Sequence, residues 1–376
     1  MRPEPAIAIG AGPAGLAVAA TLGAAGVETL VVERADDVGH AWRNHYDRLR
    51  LHTVRWLSGL PGLPIPSRFG EWVARDDVVR YLEEYAAHHR LRVRTATPVE
   101  RLDRVGDRWR LQTATDVLEA ERVVVATGYN SVPFVPDWPG REGFTGELLH
   151  ASRYRTGAAY KGRDVLVVGS GNTGAELAVD LVEQGASRVR LSVRTPPNIL
   201  RRSVAGVPSQ LFGVLFGGLP AAVLDPLMAR MQRMTIGDLT QYGLPPAPRG
   251  VLTQILRDGV LPILDVGLVD AVKRGDVQVV AGVASFDGAE VVLRDGARVR
   301  PDVVVAATGY RRGLERLVGH LGVLRPDGLP AAHGAPSHPG APGLYFIGYS
   351  NPIGGNLRGI GIDARRIARD ARRTAS

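Results

Sequence analysis

Glu33 and Arg194 hold equivalent places in two copies of one pattern. Glu33 follows the last glycine of Gly10-Ala-Gly12-Pro13-Ala14-Gly15 by 18 residues, and Arg194 follows that of Gly169-Ser170-Gly171-Asn172-Thr173-Gly174 by 20. One GxGxxG string is a weak signal. Two of them, each with a charged residue at that distance, point to two dinucleotides held by one chain. A carboxylate there accepts hydrogen bonds from ribose hydroxyls, whereas a guanidinium grips a 2′-phosphate that a carboxylate would repel. The first loop therefore suits an unphosphorylated ribose and the second suits NADPH, although an arginine there can also simply end an edge strand. The chain shows no convincing catalytic triad. There is no cysteine, which removes thiol nucleophiles, thiolate metal sites and redox cysteine pairs. His88-His89 has no partner pattern for a metal, and no metal is assigned.

Each loop needs a strand before it and a helix after it. Residues 6–9 form a short apolar strand, Leu16–Gly26 an alanine-rich helix and Glu28–Glu33 a returning strand. The pattern repeats as a strand at Asp164–Gly169, a helix at Ala175–Gln184 and a strand at Arg188–Val193. In each loop the first glycine permits the turn and the second lets the backbone approach a pyrophosphate. The third allows close helix–strand packing, and the helix N-terminus faces the phosphates. Val123–Tyr129 and Val303–Tyr310 also match each other as buried strands ending in Ala-Thr-Gly, the first at Ala126-Thr127-Gly128. They bracket the second fingerprint.

The 376 residues, 45% hydrophobic and 22% charged, suffice for about two domains. No apolar stretch approaches the roughly 20 residues of a membrane helix. The first strand begins near Ala6, which leaves no room for a cleavable leader, so a cytoplasmic enzyme is expected. The formal charge is +8 and almost wholly arginine, since Lys161 and Lys273 are the only lysines. Arg365, Arg366, Arg369, Arg372 and Arg373 share their helix with Asp363 and Asp370, the pattern of a solvated helix end, and no nucleic-acid partner is expected. The apolar run from Leu211 to Leu224, followed by Met228, Met231 and Met234, leaves three readings open: a cap over a site, ordinary packing, or a peripheral membrane contact.

Between the two loops stands Phe144-Thr-Gly146-Glu-Leu-Leu-His150-Ala-Ser-Arg-Tyr154, of the form FxGxxxHxxxY. With the two fingerprints, this string resembles the class B flavin monooxygenases. The likeness covers most of the chain through Ala41-Trp42, Tyr46–Thr53, Leu60–Pro66 and Tyr81–Ala86, whose order and wording are similar to the YUCCA-like indole-3-pyruvate monooxygenases and their bacterial relatives. Tyr154, where Baeyer–Villiger members carry Trp, and His52, where N- and S-oxygenating members commonly carry Asn, favour that branch.

The resemblance implies an α/β fold of two Rossmann-like domains with the NADPH domain inserted into a split FAD domain. Residues 1–155 and 301–376 would bind FAD and residues 156–300 would bind NADPH, with a helical embellishment near 208–245. FAD would contact Gly10, Gly12, Pro13, Ala14, Gly15, Glu33, Ala41, Trp42, His52, Thr53, Ala126, Thr127 and Gly128. Gly348 and Asn356, in a late glycine-rich turn, would bring a helix N-terminus to the flavin's pyrimidine edge. NADPH would contact Gly169, Ser170, Gly171, Asn172, Thr173, Gly174 and Arg194. Phe144, Gly146, His150 and Tyr154 would lie on the interdomain linker.

The implied reaction uses NADPH and O2: hydride passes to FAD, and a C4a-(hydro)peroxyflavin oxygenates a small molecule such as an aryl-pyruvate. His52 and Thr53 are the candidate catalytic side chains, and a role for His52 in tuning the peroxide, positioning a cofactor or packing stays open. So do N- or S-oxygenation of a natural-product intermediate, electron transfer without oxygenation, and assembly into a homo-oligomer.

Overall fold

A computed structural model of the chain describes residues 3–373. The chain begins with β1 (Glu4–Ile9), α1 (Pro13–Ala24) and β2 (Thr29–Val32), then α2 (Arg75–His88) and β3 (Arg92–Arg94). A meander of β4 (Val99–Val105), β5 (Arg108–Thr113) and β6 (Val117–Val125) follows. The next strands are β7 (Glu147–His150) and β8 (Asp164–Val168), with α3 (Asn172–Glu183) and β9 (Arg188–Val193) after them. Beyond lie β10 (Ile199–Arg201), the helices α4 (Ser209–Phe216), α5 (Ala221–Thr235) and α6 (Val251–Asp258), and β11 (Ile263–Asp265). α7 (Leu268–Arg274), β12 (Val277–Ala281) and β13 (Val303–Ala306) precede the closing pair, β14 (Leu344–Phe346) and α8 (Asn356–Arg373).

Two sheets organise these elements. The first runs β3-β2-β1-β6-β5-β4, with β14 added to β6, and is parallel except for the β4-β5-β6 meander. The second runs β12-β9-β8-β13-β7 and is parallel throughout. Their central strands are unbroken apolar runs because both faces are covered. Ile7, Val123, Trp109 and Phe346 are buried in the first core, and Leu166, Val304, Phe286 and Val291 in the second. Each such side chain contributes about 2 kcal/mol by leaving water.

The chain divides into two compact units, residues 1–44, 53–132 and 310–376 against residues 45–52 and 133–309. The second unit is thus inserted into the first, but the crossings fall at 132/133 and 309/310, earlier and later than the 155 and 300 expected from sequence. The reason is β7, whose parallel pairing with β13 draws everything from residue 133 into the second sheet's unit. A further crossing has no signal in the sequence. Residues 45–52, early in the sequence, belong to the second unit.

The segment from 208 to 261 carries the three helices α4, α5 and α6 joined by irregular stretches, and only part of its apolar run packs. Leu224 and Met228 are buried, while Leu215 is 65% and Met234 77% exposed. The arginines at 365, 366, 369, 372 and 373 lie on the exposed face of α8. No helix among the described residues is long and apolar enough to cross a membrane.

Candidate functional site

In the first unit, the loop between β1 and α1 is shaped by close backbone contacts. Gly10 has φ +112°, and a Cβ there would lie 2.6 Å from the carbonyl oxygen of Ala126. A Cβ on Gly15 would lie 1.8 Å from the Gly10 carbonyl oxygen. Gly12, between them, meets nothing within 4 Å, and α1 has no side-chain cap on its first amides. The loop thus presents open space in front of a helix N-terminus, which attracts phosphate. Glu33 is set beside it: its Oε2 accepts from the Ala11 amide at 2.7 Å and its Oε1 from the Ala35 amide at 3.0 Å. Each oxygen keeps a lone pair for a ribose hydroxyl.

The glycine turn at the other end of this unit docks onto the same loop. A Cβ on Gly348 would lie 3.3 Å from the Ala14 Cβ, and the Thr21 hydroxyl of α1 donates to the Ala364 carbonyl of α8. Tyr349 shares a 2.7 Å hydrogen bond with Thr127, and burial pushes its phenol up to about 12 despite that bond. The Tyr349 amide donates to His333 Nε2 at 3.2 Å, and His333 Nδ1 faces Asp363 at 3.4 Å. Asn356 opens α8. Ala41 is exposed and Trp42 half-buried, next to Gly39, while the Thr53 hydroxyl bonds to Ser58 at 2.7 Å.

The second unit repeats this construction almost atom for atom. Gly169 has φ +124° with its Cβ position 2.4 Å from the Ala307 carbonyl oxygen, a Cβ on Gly174 would lie 1.9 Å from the Gly169 carbonyl oxygen, and Gly171 is open. α3 likewise lacks a side-chain cap. Arg194, just past β9, is exposed and makes no ion pair among the described residues. Asn172 stands where the first loop has Pro13, and its amide is committed internally: Nδ2 donates to the Pro262 carbonyl at 3.0 Å and Oδ1 accepts from the Leu264 amide at 2.8 Å. The Ser170 hydroxyl donates to the Thr195 carbonyl. Thr173 is half-buried at the start of the helix.

The FxGxxxHxxxY string is an edge of this second unit rather than a linker. Phe144 packs edge-on against Phe286, with ring centroids 5.1 Å apart, and a Cβ on Gly146 would strike the Phe144 ring at 2.5 Å. His150 ends β7. Its Nδ1 accepts from the Ser152 amide at 3.0 Å, so Nε2 carries the proton and donates to the Gly309 carbonyl at 3.0 Å. Burial holds this imidazole below its usual range, only partly opposed by the Gly309 bond. Tyr154 is fully buried, stacked on Tyr160 and donating to Asp180 of α3 at 2.7 Å. Burial first, and Asp180 second, push its phenol far above its usual range.

His52 likewise lies in the second unit, not the first. Its Nε2 contacts the Glu176 carboxylate, which is 3% exposed on α3. Sequence reading did not find Glu176, Asp180 or His333. The one available signal was the spacing of Glu176, Asp180 and Glu183 along a helix with an apolar remainder, at i, i+4 and i+7.

The chain matches the pyridine nucleotide-disulphide oxidoreductase family over residues 7–204. The indole-3-pyruvate monooxygenase YUCCA8 of Oryza sativa subsp. japonica is 38% identical over 97% of this chain and 90% of its own length. The probable indole-3-pyruvate monooxygenase YUCCA3 of Arabidopsis thaliana is 33% identical over 97% and 85%. The chain is a class B flavin monooxygenase. Among solved structures, the flavin-containing monooxygenase of Stenotrophomonas maltophilia superposes with a TM-score of 0.77 at 25% identity over the whole of both chains. OTEMO in complex with FAD and NADP does so at 0.74 and 18% over 99% of this chain and 84% of its own, a likeness of fold. The matching family is described by its disulphide oxidoreductases. This chain, without cysteine, has no dithiol to share with them.

Proposed function

We propose that this flavin monooxygenase holds FAD in the first unit and NADPH in the second, and that it converts an aryl-pyruvate to the arylacetate with loss of CO2. The observation that carries the substrate is the 33–38% identity to indole-3-pyruvate monooxygenases across 97% of the chain. The cradles fit the two cofactors. Gly12 and Gly171 leave room where a pyrophosphate must approach, each before an uncapped helix N-terminus. Glu33 would take the adenosine ribose of FAD, and Arg194 the 2′-phosphate of NADPH. Thr127, Tyr349 and His333 would hold the C-terminal turn so that Asn356 and the amides of α8 face the flavin.

When bound, FAD supplies acceptance of hydride from NADPH and activation of O2. The protein contributes binding, orientation and exclusion of water. In the overall conversion the 2-oxo acid, O2, NADPH and one proton yield the shortened acid, CO2, NADP⁺ and water. The proposal places the enzyme in the cytoplasm.

The test is a substrate panel on FAD-loaded enzyme with NADPH and O2. Arylacetate and CO2 formed from indole-3-pyruvate or phenylpyruvate, in proportion to NADPH consumed, are expected. Turnover of amines and thioethers instead, with no arylacetate, would sink the 2-oxo-acid reading.

A further inference from the structure

Three carboxylates line one face of α3, and each fastens a different piece of the second unit. Glu183 binds Arg48 through two hydrogen bonds of 3.0 and 3.1 Å. Asp180 accepts from the Tyr154 hydroxyl and the Gly157 amide at 2.7 and 2.8 Å. Glu176, nearest the glycine loop, contacts His52. We propose that Glu176 is a positioning residue for the oxygenation: it fixes the direction and tautomer of the His52 ring, so that Nδ1 is presented as the working nitrogen. The proposal rests on the monooxygenase reading above.

The segment 45–52 does not need this contact to stay in place. Arg48 also donates to the Val266 carbonyl at 3.3 Å. The Asp47 amide donates to the Arg155 carbonyl at 2.9 Å, and the Arg155 guanidinium to the His45 carbonyl at 2.8 Å. With the backbone held by those ties, the remaining freedom of His52 is rotation of its ring, which the Glu176 contact removes. An ionised carboxylate only accepts, so Nε2 carries a proton, and in the neutral ring Nδ1 is left with a free lone pair. Nδ1 has no hydrogen-bond partner among the described residues, and the side chain is 21% exposed. The chain passes into the first unit directly after this residue, at 52/53. A carboxylate behind an imidazole whose other nitrogen is free is the arrangement that fixes a proton-handling histidine in one tautomer.

The test uses the full chain loaded with FAD. With ¹⁵N-labelled histidine, the ring signal absent from His52→Gln should report Nε2–H and an unprotonated Nδ1. Glu176→Gln, whose amide oxygen still accepts, should keep that signature, and Glu176→Ala should lose it. In kinetics, Glu176→Ala should lower product formed per NADPH by about tenfold or more, the scale of a displaced acid–base group. KM for NADPH should stay within about twofold, the mark of an effect beyond cofactor binding. Glu176→Gln should stay within about fivefold of the parent, and Glu176→Ala should cost nothing further in a His52→Ala background. An Nδ1–H tautomer in the parent protein, or losses that multiply in the double variant, would overturn the proposal. If no 2-oxo acid is turned over, the substrate reading fails and the ring signal alone decides the role of Glu176.

Discussion

The two glycine loops use the same backbone and differ in what surrounds it. In each, a Cβ on the first glycine would lie against the carbonyl of the partner Ala-Thr-Gly alanine, at 2.6 Å for Gly10 and 2.4 Å for Gly169, and a Cβ on the third would strike the first glycine's carbonyl oxygen, at 1.8 and 1.9 Å. The strand–loop hydrogen bonds repeat as well: the Ala126 amide donates to the Ile9 carbonyl at 2.9 Å, and that of Ala307 to Val168 at 2.8 Å. Against this shared frame stand Glu33 versus Arg194, Pro13 versus Asn172, and a Tyr349 brace versus a His150 brace on the two Ala-Thr-Gly turns. On the proposed assignment of the cofactors, dinucleotide binding would belong to the backbone and the choice of dinucleotide to one side chain at the tip of the returning strand.

The most damaging way to break the comparison is at the glycines the backbone cannot spare. Gly15→Ala and Gly174→Ala should each cost about 3 kcal/mol by overpacking. Gly15→Ala should be read as lost flavin absorbance after purification, and Gly174→Ala as lost NADPH oxidation with flavin retained. Next comes Arg194→Ala, which should raise KM for NADPH about 30-fold, the scale of a charge-assisted bidentate contact. NADH should be unaffected, and equal losses with both would remove Arg194 from the 2′-phosphate. Gly12→Ala and Gly171→Ala separate ligand from fold, because the added methyl meets no protein atom. Each should leave the cofactor-free melting temperature within about 3 °C while weakening its own nucleotide.

The smallest effect concerns the braces. Burial holds His150 below the usual histidine range, and His333 in the first unit shifts the same way for the same reason. An unfolded histidine takes its proton near pH 6.5, and these folded ones do so only at lower pH. Their contribution to stability is therefore complete above that value and is lost as pH falls from it toward the folded values. A melting temperature that declines as pH is lowered below 6.5 is expected, with a shallower decline in His150→Gln. An unchanged slope in that variant would show that the Gly309 brace is not what titrates.

The fingerprints were legible because glycine spacing, an apolar strand and a charged residue 18 or 20 positions on are local facts of the sequence. Partners far apart in sequence were not. His52 reads as part of the first domain until Glu176, 124 residues later, is seen beside it. The same cause moved the boundary from 155 to 132, since β7 joins the second sheet by pairing Ala306 with His150, and no local pattern announces a parallel neighbour on the far side of a domain. Asn172 is expected to face the cofactor, and the structure adds a second use: its amide ties the loop to residues 262 and 264, which the fingerprint cannot distinguish from ligand binding.

The captured segment 45–52 also limits how this enzyme can be recombined. A chimera that exchanges residues 133–309 as a cassette would install an α3 whose Glu176 and Glu183 expect His52 and Arg48 from the host sequence. The transplantable module is therefore discontinuous, residues 45–52 together with 133–309.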